Sequence, residues 1–255
     1  MEEKYTEWFE TYTNGHLTMA GAMTDIIERK KRHTMRVLGH VREIIKESGV
    51  TPELAGAMEI TALLHDVGRF PQCVKGMTAK DYDHGEAGAR IIADTDLLDS
   101  LSMDMRGIIL SGIKYHNRAT LPAELSQDTR LVLEALRDAD KLDAIRNALK
   151  YLNPDVSHGK AGKLAWDDEE ISPAIVDLTL KRLIIPLSMV KWSNDYYVFL
   201  CCWIYDLHFV YAFKHLRVSG NFEALLAKLP DNDQCATVKT LFREDLDWII
   251  AKSQP

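Results

Sequence analysis

Cysteine is scarce in this sequence of 255 residues, and its four occurrences are poorly placed for cross-linking. Cys73, Cys201, Cys202 and Cys235 include no CxxC pair and two are adjacent, which argues against a disulfide framework and against a zinc ribbon. Reduced thiols are expected. Positive charge is not in excess either. The 31 Lys and Arg face 38 Asp and Glu, a formal net charge of -7, whereas a broad nucleic-acid footprint calls for a surplus of cations. A local basic pocket is compatible with that balance. The opening stretch MEEKYTEWFETY is acidic and aromatic, without the basic start and apolar core of an export signal. No apolar run reaches the roughly 20 residues that a membrane span takes. The most apolar stretch, Tyr196 to Phe213, is interrupted by Asp206 and His208 and is expected to form a buried helix. Repeats, low-complexity tracts, linkers rich in Pro, Gly or Ser, and long alternating strand patterns are also missing.

What is present is ordinary for a soluble globular protein, with 46% hydrophobic and 27% charged residues. The expectation is a cytoplasmic, all-α, compact multi-helix bundle forming one domain over residues 1–255. Its core should lie at about 19–150, with a C-terminal helical extension at about 171–252. Val37, Val41, Ile44 and Ile45 follow His33 at helical spacing, so His33 is placed at the start of a helix that stops at Ser48-Gly49. Thr51-Pro52 then supplies a cap and an N1 proline for a second helix ending near Gly68 or Pro71. A loop from Phe70 to Lys80 should follow, then a helix from about Asp83-His84, another ending near His116, and one from about Ser126 to Leu149. Residues 153–172 read as an excursion, and two or three long helices should fill the last third.

The chemistry begins with His65-Asp66, which follows the apolar run Ala62-Leu63-Leu64. A carboxylate delivered into a core needs a partner, and a divalent cation would satisfy Asp66 and a neutral His65 together. The plain alternative is a helix end, in which His65 caps carbonyls and Asp66 meets Arg69. With His33 in HTMRV upstream and Asp140 in RDADKLDAIR downstream, LLHDVGRF resembles the HD superfamily of metal-dependent phosphohydrolases. Their ordered signature is a His, a His-Asp pair and a distant Asp. The resemblance runs from about the helix of Met35 through Arg146, close to half of the chain, while the C-terminal third matches no motif.

This resemblance implies an HD-like bundle and makes His33, His65, Asp66 and Asp140 the metal ligands. Asp138 and Asp143 compete with Asp140, which is preferred because it takes the last position of the family's Ala-Asp pattern. Asp143 shares the same broad helix face and could support a ligand, whereas Asp138 is rotated away and is expected at the surface or in a salt bridge. His84 in DYDHGEAGA and His116 in KYHNR match the two histidines that many members add for a second metal, bridged by Asp66. The alternative has His84 capping a helix and His116 binding phosphate or ending one.

Imidazole and carboxylate ligation without thiolate suits Mn, Fe, Co, Ni or Zn, as one or two ions, better than Mg. Such an ion would activate water and polarise a phosphoryl oxygen. Asp66, Arg69 and Lys114 are the candidates for catalysis, and Arg69, Lys114, Asn117, Arg118 and Lys141 for contact with substrate phosphate. Arg69 could equally pair with Asp66 or Asp83, and Glu86 reads as a solvated helix-face charge.

Members of the superfamily cleave several kinds of nucleotide, so the expected partner is a small phosphorylated substrate, with a nucleotide preferred. The GYP extension tied to cyclic di-GMP cleavage is not present after His116. A six-ligand set would also suit the two-iron oxygenases that resemble this superfamily, and a third reading is a metal-stabilised binding module without turnover. Tyr196, Tyr197, Phe199, Trp203, Tyr205, Phe209, Tyr211 and Phe213 call for burial on more than one side, by core packing or in a homodimer.

Overall fold

The computed structural model describes residues 3–77, 81–152, 164–166 and 170–253. Among them the regular elements are helical, apart from one isolated bridge between Ala165 and Trp192. The all-α expectation holds. The chain divides into two compact units, Met1–Asp140 and Lys141–Pro255.

In the first unit, α1 spans Glu3–Met19, α2 Thr24–Ser48, α3 Pro52–Leu64, α4 Arg69–Val74, α5 His84–Ala93 and α6 Met103–Tyr115. The helix α7, Gln127–Tyr151, begins in this unit. The anticipated punctuation operates: Gly49 closes α2 at φ 62°, and Thr51 Oγ1 accepts from the Leu54 N–H at the start of α3. α3 is apolar nearly all round, with Ala57, Met58, Ile60, Ala62, Leu63 and Leu64 buried, and so becomes the central helix with α2 and α6 against it. α5 packs on α6.

Four local expectations need correction. His33 does not begin a helix; α2 starts nine residues earlier, at Thr24. No side chain caps that start, and the run from Glu28 to Arg32 looks solvated, yet these residues are good helix formers on an exposed face. Ile27, Thr34, Val37, Leu38, Val41 and Ile44 form the buried stripe beneath them. The segment from Phe70 is not all loop, because α4 carries Pro71 within its first turn, where the missing N–H costs no helical bond. Its Phe70 is fully buried, with the Phe9 ring edge-on at 6.0 Å. Tyr5 and Phe9 of α1 are also buried, so the hydrophobic core takes in residues before the anticipated start near 19. Asp138, expected at the surface or in a salt bridge, does not lie at the surface but is wholly buried on α7.

In the second unit, α8 spans Pro173–Leu180, α9 Ser193–Cys201, α10 Val210–Val218, α11 Asn221–Leu226 and α12 Asp233–Lys252. Among the described residues of this unit only α12 is long, where two or three long helices were expected. The stretch from Tyr196 to Phe213 is not one helix: α9 gives way to a 3-10 turn over Cys202–Asp206 before α10 begins. There the Asp206 carbonyl accepts from Lys141 Nζ instead of from a helical N–H, and the Asp206 carboxylate pairs with the same ammonium at 2.6 Å. Tyr197, Phe199 and Phe213 lie in this unit's buried core, with Tyr196, Trp203, Tyr205 and Tyr211 packed around it. Most of the anticipated excursion at 153–172 lies outside the described residues. No helix among the described residues is long and apolar enough to cross a membrane.

Candidate metal centre

The doublet sits where α3 runs out. His65 is the C-cap residue, and its Nδ1–H donates to the Ala62 carbonyl at 2.8 Å. That bond fixes the tautomer and turns the Nε2 lone pair the other way, where it is buried and has no hydrogen-bond partner. Asp66 follows, 3% exposed, and Arg69 Nε stands 3.4 Å from its Oδ1. Both contacts of the plain helix-end reading are therefore present. They leave His65 Nε2 and most of the Asp66 carboxylate facing other side chains.

Close backbone approach brings those side chains in. A Cβ on Gly68 would stand 2.1 Å from the His84 carbonyl oxygen and 2.9 Å from Gly88 N, so the turn after the doublet abuts the first turn of α5. A Cβ on Gly85 would meet the Lys114 carbonyl at 2.6 Å, which holds the start of α5 against the end of α6. Asp83 caps α5, accepting from Gly85 N and Glu86 N, and His116 caps the C-terminus of α6. His84 and His116 thus arrive beside Asp66 from two helix ends.

The result is two histidine pairs on one carboxylate. Asp66 Oδ2 faces His33 Nε2 at 3.7 Å and His65 Nε2 at 3.8 Å; Oδ1 faces His84 Nε2 at 3.5 Å and His116 Nε2 at 3.6 Å. All five residues are buried. Within each of the sets His33, His65, Asp66 and Asp66, His84, His116, the ligand atoms lie within 4.8 Å of one another. For bonds of about 2.1 Å, neighbouring ligand atoms of a tetrahedral ion stand about 3.4 Å apart, so these spacings fit a transition-metal cation. The orphaned His65 Nε2 and the thiolate-free donor set fit it too. Asp140, on α7, reaches the centre through His33, with Oδ1 3.2 Å from His33 Nε2.

The protonation states suit ligation. Burial depresses His65 to about 4 and His84 to about 3, with Asp66 opposing in each case, so both imidazoles are neutral at neutral pH. Burial alone would raise the Asp66 carboxyl. Lys30, His65, a hydrogen bond from His116 and Arg69 together outweigh it and hold Asp66 well below the usual carboxylate range. Asp140 is likewise lowered against its desolvation, chiefly by His33.

Of the anticipated phosphate contacts, Arg69 lies at the centre, its Nη1 also donating to Gln72 Oε1 at 3.0 Å. Asn117 borders it, with Nδ2 3.0 Å from Asp83 Oδ1 and 3.3 Å from His84 Nδ1. Lys114 is paired with Glu86 at 3.0 Å and Arg118 with Asp83 at 2.5 Å. Lys141 is engaged with Asp206 instead, and Asp143 is buried and accepts from Asn147 at 2.7 Å. One residue escaped the sequence reading. Lys30 Nζ lies 3.0 Å from Asp66 Oδ2. Its place three residues before His33 on the same helix face was the available signal.

No curated protein and no solved structure matches this chain. A family model does: residues 31–145 match the HD domain, a span that includes every residue named at the centre except Lys30. That segment is 115 of the 255 residues, and over it the chain is similar to HD domains.

Proposed function

We propose that the protein hydrolyses a phosphate ester of a small phosphorylated metabolite at the centre around Asp66, with a nucleotide as the preferred substrate class. One observation carries the reading: four histidines from four helices or helix ends converge on a single buried carboxylate, and one of them, His65, aims an unpartnered Nε2 at it. His33, His65, Asp66 and Asp140 would hold one divalent transition-metal ion. His84 and His116, sharing Asp66, would hold a second. When bound, such a cation supplies Lewis acidity toward a phosphoryl oxygen and lowers the pKa of water toward neutrality.

The protein's own groups do the rest. The Nδ1–H bonds of His65 to Ala62 and of His116 to Ile113 orient both rings before any ligand arrives. Arg69 presents a guanidinium beside Asp66, suited to bidentate contact with a phosphate. Lys114 and Asn117, near the end of α6, would reach the substrate's anionic oxygens, Lys114 by exchanging Glu86 for phosphate. A net charge of -7 with a local basic cluster favours a small anion over a polymer. The six ligands would also serve two irons in oxygen chemistry, and iron content with oxygen consumption separates that reading.

The test is a phosphatase screen over nucleotides with manganese, using Asp66→Ala as control. Turnover of at least one phosphate ester is expected, falling on the order of 10³-fold in the variant. Equal activity in both proteins would overturn the assignment.

A further inference from the structure

Among the described residues the shortest ion pair of Asp66 is with Lys30, a contact that a metal centre does not explain. Its ammonium stands 3.0 Å from Asp66 Oδ2, the same oxygen that His33 and His65 face at 3.7 and 3.8 Å. A cation held by those two imidazoles and that oxygen would have to share the oxygen with a positive charge already hydrogen-bonded to it. Two cations at one carboxylate oxygen repel, so they exclude each other or bind with mutual cost. The Lys30 side chain is 31% exposed, while Asp66 is almost fully enclosed. The ammonium therefore has solvent to move into and the carboxylate has none.

We propose that Lys30 is a built-in competitor of the metal for Asp66, and that an anionic substrate relieves the competition. With Asp66 Oδ2 paired to Lys30, a metal ion binds against a resident charge. A phosphate oxygen offers that ammonium an alternative partner, and drawing it off Asp66 raises the affinity for metal. By linkage, metal then raises the affinity for phosphate by the same factor. Arg69 cannot play this part on the other oxygen as readily, since it stands farther away, at 3.4 Å from Oδ1, and is tethered to Gln72. This inference rests on the metal-centre reading and adds to it a coupling between cation and phosphate that passes through one lysine.

Calorimetric titration of Mn²⁺ tests it, into the full chain and into Lys30→Gln, each with and without orthophosphate. Without phosphate, Lys30→Gln is expected to bind Mn²⁺ about tenfold more tightly than the unmodified protein, the order of one partly buried charge pair. Orthophosphate should tighten Mn²⁺ binding several-fold more in the unmodified protein than in the variant. Lys30→Met serves the same purpose if the glutamine variant does not fold. Equal or weaker Mn²⁺ affinity in the variant overturns the proposal, as does an identical phosphate effect in both proteins. Failure of the unmodified protein to bind Mn²⁺ at all overturns the metal-centre reading, and the proposal with it.

Discussion

The two histidine pairs on Asp66 would meet a cation differently. In the first, His65 is locked by its bond to Ala62, and its Nε2 is unpartnered. In the second, His116 is locked in the same manner by Ile113, but His84 Nε2 touches His116 Nε2 at 3.1 Å. His84 Nδ1, meanwhile, faces the Asn117 amide nitrogen, which also donates to Asp83. An N–H directed at Nδ1 favours the tautomer with its proton on Nε2, which then donates to His116. A cation at the second pair must displace that proton; at the first it meets the unpartnered His65 Nε2 but must displace the proton that His33 Nε2 directs at Asp140 Oδ1, 3.2 Å away. One carboxylate thus joins a pair with one unpartnered ring nitrogen to a pair whose two ring nitrogens are bonded to each other.

The largest effect should come from breaking the approach that builds the second subsite. Gly68→Ala places a methyl 2.1 Å from the His84 carbonyl and is expected to cost about 3 kcal/mol. Thermal unfolding would register the loss, and an unchanged melting temperature would mean that the turn and α5 are not held together there.

Acid should act next, and on both pairs. Burial depresses His65 to about 4 and His84 to about 3 from the ordinary 6.5. As pH falls below about 6.5 the unfolded chain takes up protons at these positions and the folded chain does not. Metal-free protein should therefore lose stability from about pH 6.5 down to about pH 4, and His65→Gln should flatten the decline. A flat melting temperature over that range would contradict neutral, buried imidazoles.

The smallest effect sharpens the difference between the pairs. Asn117→Asp would accept from His84 Nδ1–H and release Nε2 as a ligand, so one of two Mn²⁺ affinities should tighten about tenfold while the other stays fixed. Tightening of both would mean that Asn117 does not act on the second pair alone.

Much of this centre was readable in the sequence because ordered spacing survives folding. His33, His65, Asp66 and Asp140 stand in the order of the family signature, and His84 and His116 fall where helix-end chemistry places them. Lys30 was missed because it lies in a charged run that looks solvated, and its meeting with Asp66 is a tertiary contact between residues 36 apart. The pairing of Lys141 with Asp206 was hidden for the same reason, since adjacency to Asp140 does not fix where a long side chain goes. Burial of Asp138 was hidden because helical phase gives a direction and not what lies there. The second unit was least readable: its aromatics serve a core walled on several sides, which leaves no amphipathic phase to mark where α9 ends and α10 begins.

The most direct test is the metal content of protein purified without chelator, compared with that of Asp66→Asn prepared in parallel. One or two transition-metal ions per chain are expected in the unmodified protein and close to none in the variant, with both folded by circular dichroism. Equal metal content in the two would contradict a metal centre built on Asp66.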